Sequence, residues 1–137
     1  GVFALAEDKV DGSLWISSSI GLFRMRGHEL IHYTPTNGLP HHKVWRLLAR
    51  SDGELWTETD KEMARFRDGK FTHVTAADGL LATRPRWMVE SPEGSVWLGN
   101  GDWRQQLPPP RKAVYRHSIG RPADRRVDHV PAIRALW

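Results

Sequence analysis

The chain has 137 residues, of which 39% are apolar and 26% are charged, proportions typical of a soluble globular protein rather than a disordered or fibrous one. This length suits one ordinary domain, which buries roughly 65 to 70% of the surface that its unfolded form exposes. No cysteine is present, which excludes disulfides, thiolate chemistry and cysteine-ligated zinc, and no apolar run approaches the roughly 20 residues that a membrane-spanning helix requires.

The formal net charge of +4 is unevenly distributed. Residues 1–100 carry 12 Lys and Arg against 13 Asp and Glu, whereas residues 101–137 carry 8 against 3. Tyr115 alone lies among the basic residues of this tail as a side chain on which a base could stack. We therefore expect a solvated basic tail and no nucleic-acid partner.

A turn followed by a tryptophan recurs every 41 residues. The three copies are DGSLW at 11–15, DGELW at 52–56 and EGSVW at 93–97. A shift of 41 also aligns Arg24 with Arg65, Arg26 with Arg67 and His32 with His73. The pattern predicts a repeat architecture, whose structural positions are Gly12, Trp15, Gly53, Trp56, Gly94 and Trp97.

Each repeat is predicted to form four β-strands. In the second repeat the β-prone runs are 44–50, 54–59, 63–67 and 70–75, separated by turns such as Asp68-Gly69. Asp-Gly pairs tolerate positive φ and favour tight hairpins, so consecutive strands should form an antiparallel meander. Alternation along the third strand places Phe23 and Met25 on one face and Arg24 and Arg26 on the other.

A four-stranded sheet of about 41 residues cannot cover both of its own faces, but similar sheets can cover one another. This is the arrangement of a β-propeller, whose repeats often span about 40 to 45 residues. The sequence therefore predicts an all-β fold of propeller blades with period 41, forming a partial or open propeller. Trp15, Trp56 and Trp97 are expected to fill the space between blades, each burying about 150 to 250 Å².

Residues 11–48 resemble the two-component regulator propeller repeat. The resemblance lies in Asp-Gly-x-Leu-Trp-Ile, then Gly-Leu-x-Arg, a Tyr-Thr pair, Gly-Leu-Pro and a Val-x-x-Leu strand. It covers residues 1–99, interpreted as the last strand of one blade, blades at about 11–50 and 52–91, and the start of a third. The second blade departs from the pattern, because Glu62 replaces the Gly of Gly-Leu and Leu81 replaces the Pro after Gly79-Leu80.

The resemblance implies a sensory role. Such repeats form extracytoplasmic or periplasmic propellers of bacterial membrane-bound regulators, followed by an immunoglobulin-like domain, a membrane helix and a histidine kinase or similar output. None of these later parts occurs in the 137 residues, so we expect a non-catalytic segment of a sensor whose membrane attachment lies in other sequence. We expect no cofactor, a small-molecule or glycan ligand of unknown identity, and contacts with neighbouring blades or self-association through open blade edges.

An enzyme is the main alternative. LWTET at 55–59 resembles a run in streptogramin lyase-type propellers, and a lactonase-like propeller belongs to the same alternative. The likeness rests on a single blade, and His32 and His73 recur at the repeat spacing as structural residues would. We therefore predict no catalytic residue and no metal site. A general protein-interaction propeller is a further alternative.

Loops that do not repeat are the predicted ligand-binding sites, because loops at the rims of a scaffold usually carry binding residues. The relevant segments are 36–42 and 76–85. The candidate ligand-binding residues are His41, His42, Trp45 and Arg86.

The segment 100–137 is predicted to be a degenerate third blade or an irregular, basic, proline-rich tail. Pro108, Pro109 and Pro110 fall where the third strand is expected, and proline lacks the amide hydrogen that a sheet ladder needs. Residues 113–116 are a candidate fourth strand, and residues 130–137 are expected to begin another unit.

Overall fold

The computed structural model describes residues 1–78, 80, 85–99 and 133–136. The chain divides into two compact units, residues 1–75 and residues 76–137. In the described residues, all regular structure consists of β-strands and two short 3₁₀ helices. These residues include no helix that is both long and apolar enough to span a membrane.

The first unit contains two four-stranded sheets, each an antiparallel meander in chain order. Pro35–Asn37 forms a 3₁₀ turn between them. The predicted all-β meander of blade-like sheets is thereby confirmed. The first sheet consists of β1 (Val2–Glu7), β2 (Leu14–Ser18), β3 (Gly21–Arg26) and β4 (Glu29–Tyr33), and the second of β5 (Val44–Ala49), β6 (Leu55–Thr59), β7 (Met63–Arg67) and β8 (Lys70–Val74).

The limits of the sheets differ from the limits predicted for the blades. Strand β1 was expected to close a preceding blade, but it pairs with β2 inside the first sheet. The physical reason is the short turn at residues 8–13, which joins the two strands as a hairpin; the backbone N–H of Asp8 donates to the Ser13 carbonyl at 2.8 Å. The sheets therefore span residues 2–33 and 44–74, rather than following the predicted divisions 11–50 and 52–91.

The second, third and fourth strands of the two sheets share one pairing register. Trp15 lies opposite Arg24 in the first sheet, and Trp56 lies opposite Arg65 in the second. Each first strand also has a bulge, at Val2/Ala4 and at Val44/Arg46. Because neighbouring cross-strand partners share a face, each tryptophan lies on the same face as the arginine opposite it.

The core of this unit lies between the two sheets. Trp15 and Leu22 of the first sheet are buried with Leu55 and Phe66 of the second. The Trp15 and Phe66 rings meet edge to face with centroids 5.2 Å apart, an arrangement favoured by the ring quadrupoles. One face of the first sheet thus covers the opposing face of the second.

Asp68 and Gly69 form the two-residue turn between β7 and β8. Both have positive φ, 50° and 79°, and Arg67 pairs with Lys70 on either side of the turn. Positive φ at both central residues gives a turn whose twist suits a right-handed hairpin. The predicted Asp-Gly hairpin is confirmed here.

The second unit contains a 3₁₀ turn at Ala76–Asp78 and the strands β9 (Trp87–Glu90), β10 (Val96–Gly99) and β11 (Ile133–Leu136). Strand β10 pairs antiparallel with β9 and parallel with β11. The prediction that residues 130–137 begin another unit is therefore wrong for β11, which joins the third sheet. The predicted strand at 113–116 lies outside the described residues.

Candidate ligand-binding site

A cavity of about 420 Å³ lies between the two sheets of the first unit. It is at the end of the sheets that carries the hairpins β1–β2, β3–β4, β5–β6 and β7–β8, which we call the hairpin end. Charged side chains and aromatic rings from both sheets line the cavity. They include Asp11, Trp15, Arg26, Tyr33, Asp52 and Arg67.

In the first sheet, arginines from β3 fix the hairpin between β1 and β2. Arg24 donates through Nη2 to Asp8 at 3.2 Å and to Asp11 at 2.7 Å. Arg26 donates to the same Asp11 oxygen at 2.8 Å. The Arg24 guanidinium also lies 4.7 Å from the centre of the Trp15 ring, within the range of a cation–π contact.

The second sheet repeats the aspartate–arginine contact but differs at two positions of the turn. Arg50 takes the place of Asp8, since its backbone N–H donates to the Glu54 carbonyl as that of Asp8 does to the Ser13 carbonyl. Asp52 and Arg67 occupy the positions of Asp11 and Arg26, and they form an ion pair. Glu54 occupies the position of Ser13 and is fully buried. Its carboxylate accepts hydrogen bonds from Arg67 Nε at 3.0 Å and from Arg65 at 3.3 Å.

The presence of Glu54 where the first sheet has Ser13 changes the environment of the two repeat tryptophans. Trp56 Nε1 donates to Glu54 Oε1 at 2.6 Å. The serine at position 13 is shorter, and its hydroxyl instead accepts from Arg24 Nε at 2.8 Å and donates to Asp11 at 2.6 Å. Among the described residues, Trp15 Nε1 consequently has no hydrogen-bond partner, although Trp15 is only 1% exposed.

Two acids that line the cavity, Asp11 and Asp52, remain ionised at neutral pH. Hydrogen bonds from the Ser13 hydroxyl and backbone N–H, followed by the guanidinium groups, hold the pKa of Asp11 far below its usual range. Burial raises the pKa of Asp52, but the Glu54 backbone N–H and two arginines lower it by more. The Asp11 hydrogen bond raises the pKa of Arg26. Asp11, Asp52 and Arg26 are therefore fixed charges rather than groups that exchange protons near pH 7.

Three of the predicted ligand residues lie at the opposite end of the first unit, where the loop of residues 34–43 enters β5. Trp45 Nε1 donates to Asp60 at 2.6 Å, and Lys43 lies 4.4 Å from the centre of the Trp45 ring. Phe3 packs on the same ring, with centroids 4.5 Å apart. The His41 and His42 rings are near each other, with centroids separated by 6.1 Å. Trp45 is thus held by contacts within its own unit.

The fourth predicted residue, Arg86, lies in the second unit. It is exposed, and its backbone N–H donates to the Gly99 carbonyl at 2.7 Å. This unit has its own cavity of about 800 Å³, whose lining includes Trp87, Val89 and Trp97. Trp87 and Val89 are 61% and 57% exposed, so an apolar surface is open there.

The histidines are spread over separate contacts. His32 stacks on Phe23, with ring centroids 4.1 Å apart, and His73 Nδ1 lies 3.1 Å from Glu62. Within the described ranges, no group of three or more His, Asp or Glu residues is placed to hold a metal ion. In the lyase-like LWTET run, the Glu58 carboxylate pairs with Arg46.

Sequence reasoning missed the cavity because its lining comes from repeat positions, which were interpreted as purely structural. The signal was nevertheless present in the difference between DGSLW and DGELW. Exchange of Glu for Ser beside an otherwise unchanged tryptophan removes the acceptor of the indole N–H. The structure shows that the two sheets pack face to face and that the exchange at position 13 lies beside the cavity between them.

Comparison with known proteins supports the fold. No protein-family model and no curated protein matches the chain. Solved structures do match, and three of them are extracellular domains from B. thetaiotaomicron. One is assigned to the hybrid two-component system BT3049, with 21% identity and a TM-score of 0.60 over 71% of this chain and 14% of that one.

The other two structures are both of BT4673, assigned once to a one-component and once to a hybrid two-component system. They share 21% and 20% identity with this chain, each with a TM-score of 0.60. The chain spans only 14% to 16% of the three matched structures. These matches confirm, at the level of the fold, the resemblance to the two-component regulator propeller repeat.

Proposed function

We propose that the chain is a non-catalytic, ligand-recognising propeller segment of a bacterial signal-transduction regulator of the two-component sensor type, and that the cavity at the hairpin end receives the ligand. The cavity itself carries the proposal. Its charged groups are held rigidly by one another, as specific recognition requires, and its volume falls within the range of small-molecule sites. The fold shared with extracellular domains of such regulators agrees with this function.

The chemistry of the cavity supports binding rather than catalysis. A general acid or base works best with a pKa near the working pH, whereas Asp11 and Asp52 are held in the ionised state. Asp8 and Asp11 are also tied to Arg24 by ion pairs. Side chains committed in this way orient a ligand but are poorly suited to transferring protons.

An extracytoplasmic location, in the periplasm or beyond, forms part of the proposal. Its support is that the matched structures are described as extracellular domains. The proposed ligand is a small molecule or a short glycan, because aromatic surfaces from Trp15 and Tyr33 accompany charged hydrogen-bonding groups in the cavity.

Thermal unfolding of the full chain with a panel of probes tests this function. The panel contains neutral and acidic monosaccharides and disaccharides, amino acids and short-chain carboxylic acids. A probe that binds the native state raises the melting temperature, with a stabilisation of about 2.7 kcal/mol at 100 times its Kd. Arg26→Ala should abolish this rise, whereas Lys61→Ala, at an exposed position between β6 and β7, should preserve it.

Two results would contradict the proposed function. One is that every probe in the panel changes the melting temperatures of wild type and Arg26→Ala by the same amount. The other is chemical turnover of a bound probe, followed by NMR of the incubated mixture, because turnover would make the chain an enzyme.

The outer face of the first sheet supports a proposal about association. Leu5, Met25 and Leu30 are 62%, 44% and 57% exposed. Met25 and Leu30 correspond, at a shift of 41, to Phe66 and Phe71, which pack in the core against the first sheet. We propose that this face of one copy packs on the open apolar surface around Trp97 of a second copy.

Light scattering after size-exclusion chromatography tests the association. Wild type should show a mass that grows with concentration, because head-to-tail contacts do not close on themselves. Leu30→Arg should shift the protein towards the monomer, and Lys70→Ala serves as the matched surface control. A wild-type monomer at all concentrations would refute the proposal.

A further inference from the structure

In the cavity at the hairpin end, most acceptor oxygens already bond to the protein, whereas several donor N–H groups do not. The four acids that line it are Asp8, Asp11, Asp52 and Asp68, and the three arginines are Arg24, Arg26 and Arg67. Three of the acids are already used by the protein. Asp8 accepts from two backbone N–H groups and from Arg24, and Asp52 accepts from the Glu54 backbone and from two arginines.

Asp11 is the most fully occupied of these acids. One oxygen accepts from the Ser13 backbone N–H and hydroxyl, and the other accepts from Arg24 and Arg26. Few acceptor positions on these carboxylates remain for a ligand. The fourth acid, Asp68, lies exposed in the turn between β7 and β8, where solvent screens its charge.

The donors, by contrast, retain free capacity. A guanidinium carries five N–H groups. Among the described residues, Arg26 uses only Nη2, and Arg67 uses Nε and Nη2. Their side chains are 56% and 39% exposed, so a ligand can reach the remaining N–H groups. Both arginines line the cavity, Arg26 from the first sheet and Arg67 from the second.

Trp15 adds a donor of a different kind. A buried N–H without a partner costs about 1 to 3 kcal/mol, and Trp15 Nε1 is such a group. The Trp15 side chain lines the cavity, and its indole N–H lacks the carboxylate that Glu54 supplies to Trp56. The atom is covered by its neighbours, so an incoming acceptor reaches it when a side chain of the cavity wall moves aside.

We propose that the cavity binds a small molecule through a carboxylate group, which accepts hydrogen bonds from Arg26 and Arg67 and takes, at Trp15, the place that Glu54 holds at Trp56. This inference rests on the proposed function and specifies the chemical class of its ligand. The free donors favour acceptor oxygens, and hydrogen bonds between charged partners are about twice as strong as neutral ones. The carboxylate of the ligand thereby bridges the two sheets.

NMR of the tryptophan side-chain N–H groups in the full-length chain tests the inference. The Trp15 signal is assigned from its disappearance in Trp15→Phe. The probes are D-glucuronate, acetate and D-glucose at equal ionic strength. Glucuronate and acetate should move the Trp15 signal as they bind, and glucose should not. Arg26→Gln should weaken glucuronate binding at least about tenfold, the loss expected for a hydrogen bond to a charged group, whereas Lys61→Gln should leave it unchanged.

Ser13→Glu provides the sharpest variant, because it gives the first sheet the residue that the second sheet already has. The new carboxylate should accept from Trp15, move its signal towards that of Trp56 without any probe, and block glucuronate. An unchanged number of dispersed tryptophan signals checks that the variant is folded. Glucuronate binding that survives both Ser13→Glu and Arg26→Gln would overturn the inference.

Two further outcomes separate this inference from the proposed function. If glucose moves the Trp15 signal as strongly as glucuronate does, ligand recognition stands and the carboxylate class is wrong. If none of the three probes moves the signal, the carboxylate class is again wrong, and the wider thermal panel decides whether the cavity binds another ligand.

Discussion

The hairpin ends of the first and second sheets share an ion pair between an aspartate and an arginine. They differ in whether the indole N–H of the repeat tryptophan has a hydrogen-bond partner. In both, arginines from the third strand hold the turn between the first two strands through an aspartate. In the second sheet a buried glutamate completes the cluster and accepts from the indole. In the first sheet serine leaves the indole unpaired. The shared contacts maintain the fold, and the departure from them marks the candidate site.

The largest expected effect comes from removing Glu54, the buried acid that the second sheet has where the first has Ser13. Glu54→Ala should lower the free energy of unfolding by about 3 to 5 kcal/mol, because it removes a fully buried carboxylate that accepts from Arg65, Arg67 and the Trp56 indole. Ser13→Ala, the equivalent change in the first sheet, should cost only about 1 kcal/mol. Urea unfolding of both variants measures the difference, and equal losses would refute the distinction.

Gly21 and Glu62 occupy equivalent positions in the turns between the second and third strands. Exchanging the two residue types should destabilise the first sheet more than the second. Gly21 has φ of 137°, and a Cβ there would lie 2.5 Å from the Tyr33 carbonyl oxygen. Gly21→Glu should therefore lose roughly 2 to 3 kcal/mol of stability. The equivalent position in the second sheet is Glu62, so Glu62→Gly should cost less. Chemical denaturation of the two variants provides the measurement, and a larger loss for Glu62→Gly would contradict the structure.

Conservative replacement of the tryptophans isolates the indole N–H. Trp15→Phe and Trp56→Phe remove similar volumes from buried sites, but only Trp56 loses a hydrogen bond to a carboxylate. Trp56→Phe should consequently be the more destabilising by about 1 to 2 kcal/mol. The difference between the two unfolding free energies is the quantity to measure, and a difference near zero would show that the partner of Trp56 contributes nothing.

The smallest expected effect concerns pH. The pKa of Asp11 is lower in the folded chain than in the unfolded one, so its contribution to stability is present above about pH 4 and is lost as the pH falls through the folded value. Asp11→Asn should flatten the loss of stability between about pH 5 and pH 2, measured by urea midpoints. Asp68→Asn, at an exposed turn position, is the control, and an equal flattening there would remove the assignment to Asp11.

The sequence predicted most of the fold. The 41-residue spacing, the Asp-Gly turns and the alternation of apolar residues identify the four strands of 44–75 and their antiparallel order, because hairpins and alternation are local properties. The placement of β1 was missed because the family pattern starts at the turn, whereas the hydrogen bonds run across it. Strand β11 was misassigned because its parallel pairing with β10 joins residues far apart in the chain.

The candidate site was harder to predict than the fold. Its charged residues belong to two repeats, and their juxtaposition depends on the packing of one sheet on another. The sequence analysis predicted ligand binding by residues that do not repeat. Of these, Trp45 lies at the other end of the sheets and contacts Asp60, Lys43 and Phe3. Comparison of repeat positions pair by pair, with attention to where a hydrogen-bond partner is lost, would have identified Ser13.

Arg24 and Arg26 hold the turn between β1 and β2 through their hydrogen bonds to Asp11. The turn is anchored through the backbone of Ser13, whose N–H donates to Asp11 and whose carbonyl accepts from Asp8. The side chain at this position can therefore change without moving the strands. Successive blades of such a protein could acquire or lose a receptive crevice through a single codon change. Differences in ligand recognition would then arise at a position inside the repeat, with the strands unchanged.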